Sequence, residues 1–301
     1  MKRATSLLGI FLAALLTGAS ARAQAPAPAP APAAASTAYP IKVTLADGRT
    51  VPASSIRRAG TTLLVTVPVA NGVRGEVGYP IATVRKLEMP EPPQLKSARQ
   101  LVTDGKAAQA LNEIRGVVVL QGDLREIPGN YWAPAALIEV DALIALKRDK
   151  DAQKLIEQLS AGTQDTELLQ SARLALATLW TRSGQADKAI PVFDETIATS
   201  KDARTLARAW TSKGDALLAT GDYDGALLAY LRVPIFYSNE DASIPAALLG
   251  SARAYEGLSD FDLARESLTQ LNKDYATSPE AAVSKDDLAR INRKNKPPAA
   301  N

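Results

Sequence analysis

The chain has no histidine and no cysteine in its 301 residues. Their absence excludes Ser-His-Asp and Cys-His catalysis, His-ligated zinc, thiolate metal sites, disulfides and a cysteine-borne lipid anchor. The commonest general base goes with them. No G-x-x-x-x-G-K-[ST] phosphate loop, G-x-S-x-G elbow or EF-hand pattern occurs. Carboxylates remain, but they are scattered, so the two-carboxylate chemistry of glycosidases has no visible seat. No catalytic, cofactor-binding or metal-ligating residues are expected, and the chain does not read as an enzyme. Aromatics are scarce at 5%. The abundant Ala and Leu point instead to helices packed through small side chains.

A membrane-spanning run is also lacking at the N-terminus. Residues 7–16 (LLGIFLAALL) are apolar, but a spanning helix needs roughly 20 residues. Lys2 and Arg3 precede this run and Ala21-Arg22-Ala23 follows it. That is the layout of a secretory signal peptide over residues 1–23, cleaved after Ala23. An uncleaved N-terminal anchor is the alternative. A periplasmic or secreted protein is expected, peripheral to a membrane at most. A charge bias is missing too. Removing Lys2, Arg3 and Arg22 takes 35 basic residues to 32, equal to the 32 acidic ones. A neutral mature chain offers no basic stripe for nucleic acid.

What is present divides into segments. Residues 24–38 are Pro- and Ala-rich (APAPAPAPAAA), which favours extended polyproline II and reads as a semi-rigid tether. Residues 39–89 change to strand spacing. Ile41, Val43 and Leu45 alternate with Lys42 and Thr44, Asp47-Gly48 and Asn71-Gly72 are turn signals, and Thr61 to Val67 is β-branched. With Thr50 to Ile56, Val73 to Tyr79 and Ile81 to Leu87, about five short strands fit into roughly fifty residues, predicting a small all-β barrel or curved sheet. The pattern loosely resembles SH3-like and Sm-like barrels. Arg57, Arg58, Arg85 and Lys86 are read either as solvated strand faces or as a basic patch. Residues 90–93 (PEPP) form a short rigid linker.

Helical periodicity then holds over residues 94–293, and it repeats. A small residue recurs at Ala110, Ala152, Ala189, Ala226 and Ala264, at intervals of 42, 37, 37 and 38. Four positions after each stands a large residue: Ile114, Ile156, Phe193, Tyr230 and Leu268. A preceding helix carries a small residue at Ala98, Ala177, Gly214 and Ala252, with Val140 as the departure. A bulky residue follows three further on, at Leu101, Leu143, Trp180, Leu217 and Tyr255. A turn residue lies five before each alanine, at Gly105, Lys147, Gly184, Gly221 and Ser259. The best-formed copy runs from Trp210 to Val233. This register resembles tetratricopeptide (TPR) repeats. It predicts an α-solenoid of about five helix pairs, with Pro279 to Arg293 as a polar capping helix and residues 294–301 as a disordered tail. Gly122 to Pro134 accounts for the longest interval, and Pro234 is expected to end its helix, with Ile235 to Tyr237 extended.

The TPR resemblance implies a concave groove lined by the first helix of each pair. It places Ser171, Leu174, Thr178 and Thr181, then Arg208, Thr211, Asp215 and Leu218, then Ala246, Leu249, Arg253 and Glu256 on that groove. Arg208, Thr211, Asp215, Arg253, Glu256 and Thr178 are the expected partner-binding set. The mixed charge could clamp an extended peptide or pair internally. Tyr131 and Trp132 are a second possible contact, or a staple of a helix start. The ending DYATSP (Asp274 to Pro279) is similar to that of periplasmic TPR proteins that assist cell-division and outer-membrane assembly machines. The resemblance implies a non-catalytic scaffold, without cofactors, that binds other envelope proteins or peptides. The alternative is a peptidoglycan-binding or oligomerising envelope protein acting through the β region, although Tyr79 is the only aromatic in residues 40–89.

Overall fold

A short turn motif, repeated five times, shapes most of the molecule. In the computed structural model, which describes residues 40–69 and 73–294, every expected turn residue has a left-handed backbone. The φ values are 73° at Gly105, 57° at Lys147, 78° at Gly184, 83° at Gly221 and 65° at Ser259. In each turn two crossed backbone bonds end the first helix. At Gly221, its N–H donates to Leu218 O (3.1 Å) and Asp222 N–H donates to Leu217 O (3.0 Å). The same pattern recurs at the other four, with the bulky residue of each repeat supplying the outer acceptor: Leu101, Leu143, Trp180 and Tyr255. This is the Schellman arrangement, which satisfies carbonyls that the helix end would otherwise strand. The next residue is already the N-cap of the following helix, so one left-handed residue separates the two helices of a pair. Asp222 and Asp260 also cap through their side chains, accepting from Gly225 N–H (3.0 Å) and Leu263 N–H (3.3 Å).

Among the described residues there are eleven helices: α1 (Pro93–Thr103), α2 (Ala107–Gly122), α3 (Trp132–Ala145), α4 (Asp149–Gly162), α5 (Thr166–Arg182), α6 (Ala186–Thr199), α7 (Ala203–Thr220), α8 (Tyr223–Phe236), α9 (Ile244–Gly257), α10 (Phe261–Asp274) and α11 (Pro279–Lys294). Each helix packs on the next, and the odd-numbered ones also touch one another side by side. The fold is a TPR-like solenoid. All five register alanines are fully buried, as are Ile114, Phe193, Tyr230 and Leu268, with Ile156 nearly so. Within the fourth pair Gly214 makes room for the large Tyr230 ring, where a Cβ would collide. One expectation fails. Pro234 does not end α8, which continues through Phe236. Pro234 lies in the last turn, where losing one N–H donor removes a single bond, and Ile235 and Phe236 stay helical and exposed.

Among the described residues the β region holds six strands rather than about five: β1 (Ile41–Leu45), β2 (Thr50–Ala53), β3 (Ser55–Ala59), β4 (Thr62–Pro68), β5 (Arg74–Pro80) and β6 (Val84–Glu88). They form two antiparallel three-stranded sheets, ordered β2-β1-β6 and β3-β4-β5. The segment expected as one strand from Thr50 splits at Ser54, where the chain passes from one sheet to the other. Ser54 stays tied to Thr66 O through both its N–H (2.9 Å) and its hydroxyl (3.3 Å). The last strand starts at Val84 because Ile81–Thr83 makes a 3-10 turn. The hairpin expected at Asn71-Gly72, the signal peptide, the tether and the tail from residue 295 lie outside the described residues.

Inward-facing Val43, Leu45, Ala53, Leu63, Val65, Val84 and Leu87 form the β core, and the α2–α3 connection completes it with Leu124 and Ile127. So small a β unit has little apolar surface to bury by itself, and each borrowed side chain contributes about 1.5–3 kcal/mol. Around this insertion Leu87 N–H donates to Pro128 O (2.8 Å), the Tyr131 hydroxyl donates to Met89 O (3.1 Å), and Arg58 donates to Asp123 O (3.2 Å). Gly129 lies against the Leu87 carbonyl with φ 88°, where no Cβ fits. Trp132 is buried in the helical core, so it staples α3 and presents no contact surface.

Two outcomes follow. Ser259→Gly relieves a left-handed backbone that costs an L-residue about 1 kcal/mol, and urea denaturation should show that much added stability. Gly129→Ala should loosen the β unit from the solenoid, seen as faster amide exchange in β6 and protease cleavage in residues 90–93 while α5–α10 stay protected.

The concave face as candidate functional site

The odd-numbered helices present a row of side chains at matched positions: Asp141 on α3, Thr178 on α5, Asp215 on α7, Arg253 on α9 and Asp287 on α11. Repeat spacing brings these residues side by side although about 35 residues separate successive members. Most of the row is internally paired. Arg208 of α7 reaches across to Asp141, 2.7 Å away. Arg253 holds Asp287 at 2.9 Å. Arg290 of α11 spans Glu256 and Asp287, each at 2.7 Å, and Lys294 reaches Glu256 at 2.9 Å. The Thr178 hydroxyl donates to Leu174 O (3.1 Å) and lies 3.5 Å from that of Ser212. Thr211 is buried and its hydroxyl is spent on Ala207 O (2.9 Å).

Six residues were expected here from sequence. The structure brings Arg208, Asp215, Arg253, Glu256 and Thr178 to one face, and turns Thr211 into the packing. Of the two uses open to the charges, internal pairing describes Arg208, Arg253 and Glu256. Asp141, Asp287, Arg290 and Lys294 were missed. Continuing the register past Arg253 and Glu256 by 34 residues lands on Asp287 and Arg290, a signal that reading α11 as a solvated cap passed over. Asp287 is only 4% exposed. The basic residues of the β region do not form a patch. Arg57 pairs with Glu76 at 2.7 Å and Arg58 with Glu126 at 3.4 Å, while Lys86 lies 3.5 Å from Glu88 on the other sheet.

Asp215 is the exception. It lies open to the groove, and among the described residues it makes no ion pair. Its Oδ1 accepts the Tyr230 hydroxyl at 2.6 Å. The Tyr230 ring is fully buried between α7 and α9, and a Cβ on Gly214 would stand 2.6 Å from it. Protein surrounds the Asp215 carboxyl on most sides, and this desolvation raises its pKa to about 6 against the opposing pull of the Tyr230 hydrogen bond and the Arg253 charge. Burial also raises the Tyr230 phenol, helped by the adjacent carboxylate. Glu256 goes the other way. Hydrogen bonds from Arg290 lower it to about 2 despite partial burial.

No family model matches the sequence, and no curated protein matches it. Among solved structures the chain is similar to Bacillus thuringiensis PlcR in complex with the peptide PapR7 and DNA, at 13% identity over 67% of this chain and 73% of that one, with a TM-score of 0.53. A putative kinesin light chain of Podospora anserina with nearly identical TPR-like repeats aligns at 21% identity over 60% of this chain and 91% of its own, TM-score 0.41. BtubC from P. vanneervenii aligns at 13% over 70% and 96%, TM-score 0.40. At these identities the likeness is one of fold: a helical-repeat solenoid.

The Asp215 environment is measurable. Its carboxyl carbon should titrate near pH 6 by NMR, and Tyr230→Phe, which removes a hydrogen bond to the charged form, should move it higher. A carboxyl raised by folding adds stability in acid, and that contribution is lost as pH rises through about 6. Asp215→Asn should therefore raise the melting temperature at pH 8 and change it much less at pH 4.

Proposed function

We propose that the protein is a non-catalytic scaffold of the bacterial cell envelope that holds protein partners on its concave face. The observation that carries this reading is the row of polar side chains from α3 to α11, presented in register by a solenoid whose repeats lock at five turns of the same kind. Such a surface is extended, rigid and chemically mixed, which suits an elongated partner better than a small molecule. PlcR, of similar fold, is a complex with a peptide. Export rests on the first 23 residues, with Lys2 and Arg3, the apolar run and Ala21-Arg22-Ala23. The absence of cysteine and histidine weighs against the common catalytic sites.

The test is cross-linking of the full-length protein in intact envelopes. Truncation to the helices alone is unsuitable, because it would strip the cover from Leu124 and Ile127. A defined set of proteins should be captured, and Thr178→Trp with Leu218→Trp, which fill the groove without adding a charge beside Asp215, should reduce it severalfold. Capture of cell wall in place of protein, or a protein set indifferent to those substitutions, would sink the reading and favour the β region as the working surface. Recovery of the protein only from the cytoplasmic fraction would remove the envelope assignment.

A further inference from the structure

The concave row leaves one charge unanswered. Asp141 has Arg208, Asp287 has Arg253 and Arg290, and Glu256 has Arg290 and Lys294. Asp215, at the middle of the row, has only the Tyr230 hydroxyl on Oδ1, and among the described residues nothing donates to Oδ2. The nearest cations do not fill the gap. Arg208, two turns back on α7, reaches away to α3, and Arg253 on α9 holds Asp287.

We propose that Asp215 seats a lysine or arginine side chain of an extended partner segment lying along the concave face. This rests on the concave face being the partner surface. Charge complementarity selects the occupant. An anionic side chain here would meet Asp215 with no free cation beside it. A neutral one would leave Oδ2 without a donor in a desolvated position, which costs more than leaving it in water. A cationic head answers the carboxylate, and its aliphatic stem finds Leu218, one turn along on the same face and half-buried. The Thr178 hydroxyl on the neighbouring α5 and the Ser212 hydroxyl one turn back on α7 lie close together and suit the backbone of an extended segment.

This seat is pH-sensitive. The titratable groups that act on Asp215 are Tyr230 from α8 and Arg253 from α9; along the row to either side stand Asp141 and Arg208, paired with each other, and Glu256, Asp287 and Arg290, which form a second paired set. Tyr230 is raised and stays neutral, while Glu256, held at about 2, stays ionised. Asp215 itself, near 6, loses its charge on mild acidification. At pH 5 roughly a tenth of it remains ionised, so affinity for a cationic segment falls about tenfold.

The experiment pans a phage-displayed library of random twelve-residue peptides against the immobilised full-length protein at pH 7.5. Selected peptides should carry lysine or arginine at one fixed position. That preference should vanish with Asp215→Asn, which keeps the acceptor for Tyr230 and loses only the charge. It should turn to aspartate or glutamate with Asp215→Lys. A synthetic copy of one selected peptide should bind about tenfold more weakly at pH 5 than at pH 7.5. Peptides that lack a basic position, or that bind Asp215→Asn undiminished, overturn the assignment. If such peptides are still lost on Leu218→Trp, the concave face remains the partner surface and only the role of Asp215 fails. If no peptide is selected at all, both readings fall.

Discussion

The ring of Tyr230 is the constraint from which both the solenoid and its concave face follow. It fills the space between α7 and α9, and it can do so only because each helix carries a glycine there. A Cβ on either Gly214 or Gly250 would collide with the ring. Two helix-interior glycines cost about 2 kcal/mol against alanine, and burial of an aromatic ring returns an amount of that order. The exchange also fixes chemistry. A buried phenol must find a hydrogen-bond partner, and the ring is long enough to pass between the helices to Asp215. The carboxylate at the centre of the groove is thus held from behind by the residue that sets how closely α7 and α9 approach. Packing and recognition share one side chain, so the position of Asp215 is as rigid as the core.

Rigidity elsewhere has the same local origin. One left-handed residue per pair leaves the two helices almost no freedom at their junction, and the chain accepts this conformation even at Lys147 and Ser259, where it is strained. The β unit is fixed by a different device. It lacks the aromatic bulk to close its own core, and the α2–α3 connection supplies Leu124 and Ile127 in its place. The long interval between the first two repeats is therefore an insertion with a task, and it is tied to the strands through Leu87, Met89 and Arg58.

Much of this was legible in the sequence because it is periodic. Small residues at Ala110, Ala152, Ala189, Ala226 and Ala264 mark buried helix crossings whatever surrounds them, and the turn positions follow by counting. The departure at Val140 was legible in the same register, and the residue is fully buried like Ala98 and Ala177 at the matching positions. What escaped is set by contacts that no period encodes. Arg208 and Asp141 are 67 residues apart and meet because the solenoid curves. The turn at Ser54 depends on which sheet each half of the strand joins. In α11, Asp287 and Arg290 read as solvent-facing because charge normally is, yet they face α9. At the groove, sequence supplied most of the residues and tertiary pairing supplied their state: matched charges everywhere but at Asp215.

That difference in state gives the concave face two opposite responses to acid. Glu256 is held down at about 2 by Arg290 and Lys294. Its contribution to stability is present above the carboxyl's ordinary value of 4.5 and is lost only as pH falls through about 2. The contacts between α9 and α11 that depend on it therefore persist through mild acidification. Asp215 is raised to about 6, and protonating it relieves an unfavourable, partly desolvated charge, so the fold itself gains while the groove loses its one unanswered anion. Between roughly pH 4.5 and 6 the solenoid keeps its C-terminal latch while the charge at the centre of the groove changes. A surface built this way alters what it can hold without altering its shape, because the group that titrates is braced by a neutral phenol and the groups that keep the helices together are braced by guanidinium.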